Sequence, residues 1–232
     1  MHPTLTALAS LLTLAAPALA EAPLAATGSV IRTQGGAAAG FVVTGGVSLE
    51  FSNGEYGRGS GPSRSAGAYV EAEFNGFYVG VDGLVTDRKT DNEVDYYLGF
   101  RHELASGLSY ELGYIRYTYP RDDGDCCGEV TAGLAWPLGD DLAFDLDLAY
   151  DPATGIGNVY VAGEYDASDK WTLSANYGRY EVEDADAERE WDFGAAYAVT
   201  DATAVDLRWY DSTAYDGYLA LAVSFDTTLL GN

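Results

Sequence analysis

The sequence predicts an all-β fold, a transmembrane antiparallel up-and-down β-barrel of about 12 strands, and three observations point to it. From Phe41 onward apolar residues alternate with small or polar ones, and turn residues break the alternation at regular intervals. The links between the alternating runs are tight and long by turns, and aromatic residues gather at the ends of the runs. Alternation alone suits a soluble sandwich equally well, because a sandwich strand also carries one apolar and one polar face. The rhythm of the links and the aromatic placement favour the barrel, with short turns on one side of a membrane and longer loops on the other.

Residues Met1 to Ala20 hold an apolar run through Leu8, Leu11, Leu12 and Leu14, then Pro17, Ala18, Leu19 and Ala20 before Glu21. This small-x-small pattern reads as a cleavable export signal, although its first residues offer only His2 where a lysine or arginine is usual. Residues 21–40, rich in Ala and Gly and without a period, read as a flexible periplasmic leader, and 41–232 as the barrel. Past the N-terminus no stretch reaches the ~20 apolar residues of a spanning helix. Eighteen tyrosines and 28 glycines beside a single methionine favour pleated strands over packed helices.

Strands are expected near 41–51, 66–74, 77–86, 93–103, 108–119, 128–137, 141–151, 157–166, 170–181, 190–200, 203–211 and 217–226. An even number returns both chain ends to one side of the membrane. The clearest is Asp141 to Asp151, where Leu142, Phe144, Leu146, Leu148 and Tyr150 share one face and Asp145 and Asp147 the other. Tight links fall at 75–76, 105–107, 138–140, 167–169 and 201–202, and longer ones at 52–64, 87–92, 121–127, 152–155, 182–189 and 212–216. Phe41, Phe51, Phe74, Phe77, Tyr119, Trp136, Tyr150, Trp171, Trp191 and Trp209 are the expected interfacial girdles. The last strand alternates Leu219, Leu221, Val223 and Phe225, a pattern that outer-membrane assembly machinery would engage, although Asp226 to Asn232 follow the aromatic.

The formal net charge of -24 argues against nucleic acid as a partner. It also disfavours bare anionic membrane surfaces, whereas divalent cations bridging acidic loops to lipopolysaccharide are compatible with it. The run Glu181 to Glu190, with six acidic residues, is either a solvated loop or such a calcium-assisted contact. Cys126 and Cys127 are adjacent, so a disulfide framework is not available and a metal site lacks the usual ligand spacing. A solvated loop with a vicinal disulfide or free thiols is the simpler reading.

Outer-membrane hydrolases of this size work through a histidine base, and only His2 and His102 exist. One leaves with the signal and the other sits beside Arg101 and Glu103 at a periplasmic strand end, so the chain is not expected to be an enzyme or to need a cofactor or metal. If the apolar face meets lipid, the other face lines a lumen. It would carry Glu50, Glu71, Glu73, Asp82, Asp95, Glu111, Glu129, Asp145, Asp147, Glu164, Asp192 and Asp206, offset by Arg101 and Arg208. Such a wall favours small cationic solutes over anions, unless the carboxylates are merely hydrated or paired between strands. Arg58, between two glycines, would either fold inward as a constriction or anchor its own loop.

Several segments resemble the Gcw_chp family, also known as TorF-type porins, over roughly Val43 to Leu229. They are Tyr56 to Gly59, Gly76 to Gly80, Glu93 to Phe100, Gly107 to Pro120, Gly128 to Val130 and Trp191 to Gly194. The stretch Gly107 to Pro120, rich in glycine and tyrosine and closing on proline, is the most specific. The vicinal cysteines and Gly57 depart from the family pattern. The resemblance implies an outer-membrane barrel of the porin kind in the outer membrane of a Gram-negative bacterium. A passive channel is then the leading expectation, and a plugged barrel serving as a structural or surface-interaction protein the alternative.

Overall fold

The computed structural model describes residues 40–55, 59–87, 92–120, 124–182 and 186–231, without the side chains of 55, 59–61 and 124–127. The expected signal and leader, Arg58, and the Cys126 and Cys127 side chains therefore lie outside the described residues. Twelve strands form: β1 (Phe41–Glu55), β2 (Gly59–Phe74), β3 (Phe77–Thr86), β4 (Glu93–Glu103), β5 (Ser109–Tyr119) and β6 (Gly124–Pro137), then β7 (Leu142–Tyr150), β8 (Gly157–Ser168), β9 (Trp171–Tyr180), β10 (Glu188–Thr200), β11 (Thr203–Ser212) and β12 (Tyr218–Leu230). Each pairs antiparallel with its sequence neighbours, and β12 pairs with β1 to close a barrel. Closure removes the free edges that would otherwise invite aggregation.

Tight turns hold one end together. Asn75 (φ 52°) and Gly76 (φ 84°) join β2 to β3 with both residues in the left-handed region, the geometry that matches strand twist in a two-residue hairpin. Gly76 is required for a second reason: its carbonyl accepts from the Arg101 N–H at 2.9 Å, and a Cβ there would collide with the Arg101 carbonyl. The other tight links fall where the alternation breaks, at 104–108, 138–141, 169–170 and 201–202.

The strand residues sort into two faces. Val47, Leu49, Phe51, Val79, Leu98, Leu112, Leu134, Phe144, Leu148, Val161, Leu173, Phe193, Leu207 and Leu221 are exposed on the outside of the barrel. The buried residues, among them Tyr78, Asp95, Tyr117, Glu129, Tyr160, Tyr180, Arg208 and Tyr218, face its inside. The fold thus inverts the soluble pattern, with the greasy side outward as a hydrocarbon solvent demands and the polar side enclosed.

Differences from expectation lie at strand ends. β1 and β2 run on through much of the expected 52–64 loop, pairing Ser52 with Ser63 and Glu55 with Gly59 across a bulge. Small Ser and Gly residues carry weak strand propensity, but the neighbouring ladder extends through them. β12 continues to Leu230, where Asp226 pairs with Gly46 and Thr228 with Thr44, because β1 offers unpaired backbone beyond Phe225. Nine of the expected girdle aromatics sit on the outer face, but Tyr119 does not. It faces inward and its hydroxyl donates to Glu93 Oε1 at 3.0 Å, since the β5 alternation places it with Tyr117.

Candidate functional site

The enclosed face is the candidate site, and cross-strand register assembles it row by row. Asp82 on β3 lies directly opposite Asp95 on β4, which lies opposite Tyr117 on β5. Glu111 on β5 and Asp147 on β7 flank Gly133 on β6, and Tyr160 on β8 continues that row. By the same alternation Glu50, Glu71, Glu73, Glu129, Asp145, Glu164, Asp192, Asp206, Arg101 and Arg208 all share the inner face. Of the expected lumen residues, only Arg58 lies outside the described ones.

The two inward arginines are each held by two carboxylates. Arg101 pairs with Glu71 and, at 2.6 Å, with Glu73, and its guanidinium lies 4.7 Å above the Tyr78 ring. The Tyr78 hydroxyl donates to Glu111 Oε1 at 2.6 Å, so one network ties β2, β3, β4 and β5 together near the tight-turn end. Arg208 pairs with Asp192 and, at 3.2 Å, with Asp206, and donates to Ser174 Oγ at 2.6 Å. Gly194 gives the guanidinium its seat, because a Cβ there would stand 2.9 Å from Arg208 Cζ. Asn176 Nδ2 completes this network by donating to Asp192 Oδ1 at 2.8 Å.

Toward the loop end, tyrosines and an amide take over as donors. Tyr117 donates to Glu129 Oε2 at 2.9 Å, Asn158 Nδ2 to Glu129 Oε1 at 3.1 Å, and Tyr180 to Glu188 Oε2 at 2.5 Å. Asp95 Oδ1 and Asn158 Oδ1 are buried there without a hydrogen-bond partner. Asp82, Asp145 and Asp147 accept no hydrogen bond and form no ion pair among the described residues. Carboxylates without counter-charges on an enclosed face give that face a negative potential. Among the described residues no three His, Cys, Asp or Glu side chains converge as a metal site.

Sequence reasoning missed Glu93, Asp166, Glu188, Glu190 and Asp226, which also face inward. Glu93 and Glu190 share the parity of Asp95 and Asp192 within the expected strands, so counting by twos would have found them. Asp166 and Asp226 close their expected strands at the same parity as Glu164 and Ser224, whereas Glu188 belongs to a strand extension that only pairing reveals. His102 lies at the turn end on the outer face, its ring 6.3 Å from Phe100 and 5.9 Å from Tyr110, as an aromatic packing partner.

The family described as "Bacterial protein of unknown function (Gcw_chp)" matches residues 34–228. Among solved structures the chain is similar to the KdgM porin, with a TM-score of 0.60 and 10% identity, covering 78% of this chain and 98% of that one. A KdgM porin in complex with disordered oligogalacturonate matches with a TM-score of 0.59 and 11% identity, over 78% and 98% of the two chains. The NanC porin matches with a TM-score of 0.60 and 12% identity, over 79% and 100%. At these identities the likeness shows the shared fold. No curated protein matches the chain.

Proposed function

The chain belongs to the Gcw_chp family, and from that premise and its acid-lined barrel we propose that it is an outer-membrane, porin-like passive channel for small solutes that prefers cations. The observation that carries this reading is the imbalance of charge on the inner face. Arg101 and Arg208 are each held by two carboxylates, which leaves Asp82, Asp145 and Asp147 without a counter-charge among the described residues. Carboxylates in a narrow passage lower the energy of cations and raise that of anions. A porin of the same fold was solved with oligogalacturonate, a polyanion; the wall here suits solutes of the opposite sign.

The reading includes export with cleavage after Ala20, engagement of β12 by the outer-membrane assembly machinery, and lipopolysaccharide as the neighbour in the outer leaflet. Reconstitution into planar bilayers tests it. Discrete conductance and a reversal potential of cationic sign in a salt gradient are expected. Silence would remove the channel, and an anionic sign at neutral pH would remove the preference.

A second reading, a plugged barrel acting as a structural or surface-interaction protein, is favoured by one observation. Tyr78, Tyr117, Tyr160, Tyr180 and Tyr218 are all buried on the inner face, and three of them donate to carboxylates there. A 12-stranded barrel can hold either a water path or packed side chains. The same bilayer experiment separates the two, because a plugged barrel inserts without conducting.

A further inference from the structure

Basic residues are scarce in this chain, and their placement on the outer wall is one-sided. The strands carry outward arginines at Arg64, Arg116, Arg179 and Arg189, and all four lie toward the loop end. Two of them meet: Arg179 on β9 and Arg189 on β10 are direct cross-strand partners. Side chains so placed have Cβ atoms about 4.5–5.5 Å apart, and like charges in that position repel.

The rows beneath this pair grade from aromatic to aliphatic. Tyr177 lies opposite Trp191, then Ala175 opposite Phe193, then Leu173 opposite Ala195, with Tyr177, Trp191, Phe193 and Leu173 exposed on the outer wall. Each step of two residues descends about 7 Å. Charge, amphipathic ring and hydrocarbon in that order match the phosphate, glycerol and acyl levels of a lipid leaflet. One nearby acid makes only a long, exposed contact with Arg179, and another is engaged in its own turn. Glu181 stands 3.7 Å from Arg179 in an exposed pair, and its other oxygen accepts from the Gly157 N–H at 3.3 Å. Asp211, opposite Trp191, accepts from the Ser212 N–H at 2.9 Å. The Arg189 backbone is pinned by Thr213, which accepts from its N–H at 3.0 Å, while its guanidinium forms no ion pair among the described residues.

We propose that Arg179 and Arg189 form a binding site for the phosphate headgroup of a lipid in the leaflet on the loop side. A phosphate between the two guanidinium groups turns their repulsion into paired charge-assisted hydrogen bonds, and Tyr177 and Trp191 cover the upper part of the lipid. The site is on the outer wall, so it stands whether the interior conducts or is plugged.

The test uses the full chain folded in detergent, with native mass spectrometry of retained lipid. Bisphosphorylated lipid A is expected to be retained about tenfold over its dephosphorylated form, and the R179Q/R189Q double variant to lose that preference. Lys170→Gln, at the opposite rim, is expected to keep it. Both arginines are exposed, so folding should survive, and R189Q alone carries the test if the double variant does not fold. Equal retention of the two lipids by the native chain would overturn the proposal, as would an unchanged preference in the variants. Full displacement of the lipid by millimolar inorganic phosphate would assign the site to a free anion and overturn it as well.

Discussion

Arg101 on β4 reaches across β3 to place its Nη2 2.6 Å from Glu73 Oε2 on β2, passing over the ring of Tyr78 on the strand between. Backbone ladders join only adjacent strands, so this contact adds a side-chain tie between strands that are not neighbours. It is set by the β2–β3 turn, whose Gly76 carbonyl receives the Arg101 N–H.

Arg101→Met should therefore lower stability by about 3 kcal/mol, because Glu71 and Glu73 would remain on the inner face without their counter-charge. Adding Glu71→Gln and Glu73→Gln should recover much of the loss. Urea unfolding in lipid vesicles measures both, and equal stability of R101M and the native chain would show the network to be dispensable.

Asp145 and Asp147 point inward from β7 without a partner among the described residues. Replacing both by asparagine should move the reversal potential toward zero at pH 7. Acidifying the native channel should do the same, since protonation removes the negative charge that favours cations, and preference should return as the pH rises. A potential that ignores both changes would locate selectivity elsewhere.

Leu148 and Ala162 test the two faces. Leu148→Arg puts a charge on the exposed outer face of β7, one outward position inside Tyr150, where the cost falls between the ~2–4 kcal/mol of the membrane midplane and the ~0–1 kcal/mol of its interface. Ala162→Arg points inward between Asp145 and Asn176, so folding should survive while the preference for cations weakens. Heat-modifiable migration in gels reads the first effect and bilayer recording the second.

Gly194→Val should displace the Arg208 guanidinium, since even a Cβ would stand 2.9 Å from its Cζ. The expected cost is about 1–3 kcal/mol of stability. Gly163→Val, whose Cβ would meet only the Phe144 ring edge at 3.3 Å on the outer side, should cost less, and thermal unfolding of the two variants side by side checks the order.

Much of the architecture was legible in the chain itself, because strand side chains alternate strictly and turns require particular residues. Leu142 to Tyr150 announces a half-apolar strand, Asn75 and Gly76 announce a hairpin, and the even count of such runs announces closure. The inner acidic face follows from the same period of two, which is why Asp145, Asp147 and Asp192 could be named from it. What alternation cannot say is which face looks inward, since a sandwich and a barrel share it. Closure of β12 onto β1, with Leu49, Leu98, Leu148 and Leu221 left exposed outside, decided that.

Tertiary structure alone also paired Arg101 with Glu73 across an intervening strand, drew Tyr119 inward onto Glu93, and extended β12 through Asp226 to Leu230. It set Arg179 opposite Arg189 as well. Each of these depends on register between distant segments, and register comes from the summed backbone ladder and the shear of the closed barrel, which no local window of sequence contains.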